Sequence, residues 1–146
     1  MKPVLFASLL LLASCSRGDP QIQVTDAWAR ETVAGQSGTA AYATIANRGS
    51  GDDRLIGIDA QPPVMAMLHE TSNANGVSSM RALENGLAIP SGATVPLKPG
   101  GAHVMVSGLS APLHAGDALK LTLRFEHSGE KQVDFKVASA MGGMSH

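Results

Sequence analysis

Cysteine is nearly absent from this chain: Cys15 is the only one among 146 residues. No intrachain disulfide can form, and a blue-copper electron-transfer centre, which requires a cysteine thiolate, finds no ligand beyond the extreme N-terminus. Aromatic residues make up only 3% of the chain, with one tryptophan and one tyrosine. Past the N-terminal segment, no stretch sustains a helical period for ten residues without glycine or proline, which disfavours helices. The longest apolar run, residues 4–12, is too short to cross a bilayer as a helix. Charge of one sign is lacking as well: the formal net charge is −1 and the basic residues are scattered. Neither nucleic acid nor an anionic membrane surface is therefore indicated as a partner. No nucleophile–base motif or carboxylate pair stands out, so an enzyme is not expected.

What is present begins with an export segment. Lys2 precedes the apolar run, and Leu12-Ala13-Ser14-Cys15 resembles the lipobox cut by lipoprotein signal peptidase. Residues 1–14 then read as a signal peptide and residues 15–21 as a lipidated N-terminus and spacer. Acylation of Cys15 would hold the protein to a membrane surface. Ser16 favours the outer membrane, at its periplasmic face, in Gram-negative bacteria. The alternative is an ordinary secretory signal with an incidental cysteine; either way the product lies outside the cytoplasm. Lipidation would consume the thiol, so a domain in a compartment that permits disulfides must be stable from packing alone.

Residues 22–139 alternate brief apolar runs with turn-forming residues, as expected of a single all-β domain. Strands are expected over residues 22–29, 38–47, 54–59, 64–71, 77–83, 93–97, 103–106, 118–126 and 131–137. Asn, Gly and Pro clusters separate them. Many short strands at this spacing fit a sandwich or barrel with Greek-key connections. Residues 140–146 form a glycine-broken tail.

Seven methionines and five histidines tilt the composition toward soft metal ligands. His103 and Met105 are two apart in a strand-like run, so they project to the same side, with roughly 6.6 Å of backbone rise between them. They can chelate one ion; equally, Met105 can fill the core with His103 as a satisfied neighbour. Upstream, a hairpin of residues 64–71 and 77–83 would bring His69 near Met80. Spacing alone leaves a four-residue site and core packing both open. Met65 and Met67 share a strand face with His69 and are expected as core fillers, or else as a wall of the site. His114 and His127 fall in turns and are expected to be solvated.

The order His69, ten residues, Met80, then His103, one residue, Met105 resembles the signature of the periplasmic copper chaperones called PCuAC. The likeness extends over nearly the whole mature chain. It takes in Ala27-Trp28-Ala29-Arg30, residues 38–42 leading to Asn47, Asp53-Arg54-Leu55, Leu97-Lys98-Pro99-Gly100-Gly101, Gly108-Leu109, Gly116-Asp117 and Leu121-Thr122-Leu123-Arg124-Phe125-Glu126. One departure is an extra residue between Met80 and His103, which lies somewhere in residues 81–102, a span that includes a surface-like loop at residues 84–92.

The resemblance implies a cupredoxin-like fold holding one Cu(I) between His69, Met80, His103 and Met105. It also implies delivery toward the binuclear copper centre of cytochrome c oxidase, by contact with an assembly protein or with the oxidase copper subunit. Thioether sulfur is soft and cannot be lost to disulfide formation, which suits Cu(I) in an oxidising envelope. Each imidazole must be neutral to bind, so acid should weaken the site. Met141, Met144 and His146 are candidates for an auxiliary site, for Cu(II) or as a cap over the first. A monomer, attached to the membrane by its lipid only, is expected. The competing functions are copper buffering without a dedicated acceptor and a metal-free β-sandwich interaction module.

Overall fold

The computed structural model describes residues 18–139; the expectations for the signal peptide, for Cys15 and for the tail fall outside them. Every element is a strand: β1 (Ile22–Arg30), β2 (Thr39–Asn47), β3 (Asp53–Asp59), β4 (Met65–Ala74), β5 (Val77–Ala82), β6 (Leu87–Ile89), β7 (Thr94–Leu97), β8 (Ala102–Ser107), β9 (Ala118–Phe125) and β10 (Gly129–Ala138). Hydrogen bonding joins them in the order β5-β4-β8-β2-β1-β10-β9-β3-β6, with β7 on β2. All pairings are antiparallel except β1 with β10. β3 also lies against β4, so the two ends of the path come together and the sheet wraps around its own core. This is the single all-β domain that the strand pattern foretold.

Alternation along each strand decides which side chains enter that core. Leu68 on β4, Val104 and Val106 on β8, and Ala41, Ala43 and Ile45 on β2 pack inward against Leu121, Leu123, Phe125 and Phe135. The residues between them therefore project from the outer face. β1 needs a correction to follow this rule. Its register on β2 shifts between Thr25 and Trp28, where Asp26 takes a positive φ of 53°. That bulge inverts the strand's faces: Val24 packs against the core opposite Ile45, whereas Trp28 turns outward opposite Tyr42.

The β4–β5 hairpin is closed by Asn75 and Gly76, both at positive φ, the two-residue turn that matches strand twist. One element escaped the sequence. Within the span read as a surface-like loop, Leu87–Ile89 pairs with β3 and Ile89 is completely buried. Three residues between Asn85-Gly86 and Pro90 are too few to show a period.

Two buried polar side chains tie the loops at one end of the molecule. Asn47 donates to Gly51 O (2.8 Å) and Ile89 O (3.1 Å) and accepts from Gln21 N (3.1 Å) and Gly49 N (3.0 Å). Asp53 accepts from the amides of Arg54, His127 and Ser128 and from the Ser128 hydroxyl. Burial opposes its charge, but those donors outweigh burial and hold the carboxyl below its ordinary value.

Candidate metal centre

The candidate residues lie on the outer face of β8, β4 and β5. His69 is paired directly with His103, and Met67 with Met105. Residues directly opposite on antiparallel strands point to the same side, so His69, His103 and Met105 share one face. Met80 joins them from β5, where it pairs with Thr71. The hairpin thus sets Met80 diagonal to His69, and its long side chain crosses β4 to reach the histidine beyond. Met80 Sδ lies 3.2 Å from His103 Nε2, and the two imidazole centroids are 6.2 Å apart. All four sequence candidates come to one face, and Met80, expected beside His69, makes its contact with His103.

The surroundings of His103 fix its chemistry. Although it lies on the outer face, it is only 5% exposed. Tyr42 flanks it with ring centroids 6.4 Å apart, and Trp28 packs against Tyr42 at 4.7 Å with the rings tilted by 39°. The bulge at Asp26 is what places Trp28 in this row. Behind the ring, Nδ1 lies 2.9 Å from Gly101 O. A carbonyl only accepts, so Nδ1 must carry the proton and Nε2 of the neutral ring has a bare lone pair. That lone pair faces a thioether, which has no proton to give. In the neutral ring the two face each other as acceptors at 3.2 Å, a contact that either a proton on Nε2 or a cation between them satisfies. Ligands on a tetrahedral ion with metal–ligand bonds of about 2.0–2.3 Å sit about 3.5 Å apart. A shift of a few tenths of an ångström, easy for a methionine that is 51% exposed, admits one.

His69 adds a second sign of an absent partner, because its Nδ1 is buried with no hydrogen bond. The donor set is two imidazoles and two thioethers, all neutral and two of them soft, which suits a monovalent soft ion better than a hard one. Among the described residues no group of three or more His, Cys, Asp or Glu is placed to hold a metal.

Met65 and Met67 do not fill the core. Their partners in alternation, Ala66 and Leu68, face inward, leaving Met65 62% and Met67 53% exposed on the same face as His69. Alternation had shown that they share a face with His69, but not that this face is the outer one. Tyr42 and Gly101 are neighbours of His103 whose contact with it the sequence did not show; only the folded structure reveals it. His114 and His127 are exposed in turns, as expected.

Fold and site together define a cupredoxin-like domain of the PCuAC type. The sequence model of the family described as "Putative lipoprotein LpqE-like" matches residues 22–137, and the chain belongs to that family. A similar sequence is "Putative lipoprotein Lxx21020" of Leifsonia xyli subsp. xyli, 38% identical over 121 residues that cover 83% of this chain and 72% of that protein. Among solved structures, the apo PCuAC domain from PmoF1 superposes with a TM-score of 0.67 at 25% identity, covering 81% of this chain and 93% of that one. The solution structure of Cu(I)-DR1885 from Deinococcus radiodurans gives 0.60 at 29% identity, covering 82% and 81%. The Deinococcus protein carries Cu(I) in that structure, and this chain shares its fold.

Proposed function

We propose that this protein is a copper chaperone that holds a single Cu(I) between His69, Met80, His103 and Met105 and passes it to an acceptor that binds more tightly. The observation that carries the reading is the 3.2 Å approach of His103 Nε2 to Met80 Sδ with Nδ1 committed to Gly101 O. The Cu(I)-bound state of the similar Deinococcus protein supports it. Neutral ligands leave the ion's charge uncompensated, so transfer to a thiolate-bearing acceptor is downhill. Half-exposed Met80 on an edge strand gives such an acceptor access, which favours transfer over storage.

The acceptor we propose is the binuclear copper centre of cytochrome c oxidase, reached through an assembly protein or directly on the copper subunit. The protein would work as a monomer, anchored through Cys15 at the periplasmic face of the outer membrane. Met141, Met144 and His146 would add an auxiliary copper site, for Cu(II) or as a cap. Truncation after Ser139 tests that addition, since an unchanged Cu(I) and Cu(II) stoichiometry excludes it.

The deciding experiment on the main site is competition titration with a Cu(I) chelator, comparing the chain with a Met80→Leu, Met105→Leu variant. Equal affinity in the two removes the assignment. A deletion strain then separates delivery from buffering. Delivery lowers oxidase activity at limiting copper, whereas buffering lowers growth at excess copper only.

A further inference from the structure

Two methionines beside the main site have no part in it and no place in the core. Met67 stands directly opposite Met105 across β4 and β8, and Met65 opposite Ser107. Directly opposed positions bring Cβ atoms to about 5 Å, and Met65 follows Met67 on the same face at roughly 6.6 Å of strand rise. Both gaps are within the span of flexible, unbranched side chains. Solvent exposure of 62% and 53% is otherwise unfavourable for apolar groups with a core-facing alternative one residue away. On the other flank of His103 the buried ring of Tyr42 closes the approach.

From this arrangement we infer that Met65, Met67 and Met105 form a second station for a soft monovalent cation, Cu(I) or Ag(I), through which the ion enters and leaves the main site. The inference rests on the reading of that site given above and extends it. Met105 belongs to both ligand sets, so the ion stays attached while it moves. Bonds to His69 and His103 nitrogen and to Met80 sulfur break as bonds to Met67 and Met65 sulfur form, so the ion passes from four ligands to three. The ion keeps its single positive charge throughout, and no proton or electron is transferred. Three thioethers without imidazole hold the ion more weakly than the mixed set, as a station for exchange requires. The most exposed sulfur, Met65, is then the one that an incoming thiolate meets.

The test is Ag(I) titration of the full chain carrying Cys15→Ser, so that no thiol competes, with methionine methyl groups isotopically labelled and followed by NMR. The first equivalent should move the Met80 and Met105 methyl resonances; the second, held by the two sulfurs of Met65 and Met67 while Met105 stays with the first ion, should move those of Met65 and Met67. Signals of Met141 and Met144 are followed separately. In a Met67→Leu variant the second shift of Met65 should vanish, and release of Cu(I) from the main site to a chelator should slow by about tenfold. Met67 is half-exposed, so this substitution leaves the fold intact. If Met80 and Met105 respond while Met65 and Met67 stay still through the second equivalent, the station does not exist and the main site stands. If Met80 and Met105 do not respond either, the main site itself is misassigned.

Discussion

Replacing Met80 by leucine separates a metal ligand from a packing residue, because the two roles differ in what is lost. Leucine nearly matches methionine in volume, and the side chain is 51% exposed on the edge strand β5. Packing therefore changes little: stability should stay within about 0.5 kcal/mol and Tm within about 2 °C. The sulfur 3.2 Å from His103 Nε2 is removed outright. Losing a group that merely orients a ligand costs 10- to 100-fold in metal affinity, so losing the ligand should cost at least about 100-fold, or about 2.7 kcal/mol. Chelator competition for Cu(I) measures the affinity, and thermal melting of the apo chain measures the stability. An unchanged affinity refutes the site. A fall of several degrees in Tm would show that Met80 is structural and that its approach to His103 is incidental.

Asn47→Ala should act in the opposite way: two buried carbonyls lose their donor, costing about 3 kcal/mol and lowering Tm by about 10 °C, with Cu(I) affinity retained. Tyr42→Ala should remove about 3–5 kcal/mol of stability by opening a cavity between Trp28 and His103. It should also expose the ring of His103, which faster reaction with a histidine-modifying reagent would report. Asp53 sets an acid limb. Its carboxyl is lowered in the folded state from an ordinary value of 3.8, so the stability it contributes is complete above that value and lost as pH falls through the lower one. Asp53→Asn should flatten the pH dependence of the melting temperature below 3.8 while lowering it at neutral pH.

Most strands could be read from the sequence because they are bounded by glycine, proline and asparagine. The hairpin at Asn75-Gly76 is a local signal with a local cause, the positive φ that those residues tolerate. Strand β6 could not be read, since what makes Leu87–Ile89 a strand is pairing with β3, some thirty residues away in the chain. Asn47 read as the end of the strand over residues 38–47, and its side chain is a buried hub with four hydrogen bonds. For β4, alternation put Met65, Met67 and His69 together and Ala66 and Leu68 together, yet gave no sign of which set faced the core. Larger methionines argued for themselves, and the fold chose the smaller pair.

By itself the sequence determined which soft side chains are on offer: two histidines and two methionines of fixed order, in strand-like segments, with no thiol among them. It also determined that His103 and Met105 share a face, because alternation is a property of any extended chain. Only the tertiary structure decided that this face is the outer one, that β4 lies beside β8 in the register that sets His69 against His103, and that a bulge turns Trp28 toward Tyr42. The reason is that side-chain direction is set within a strand, whereas register and sheet order are set by burial of the whole core. The contact of His103 Nδ1 with Gly101 O, which in the neutral ring leaves Nε2 to face Met80, depends on a carbonyl that only the folded chain puts there.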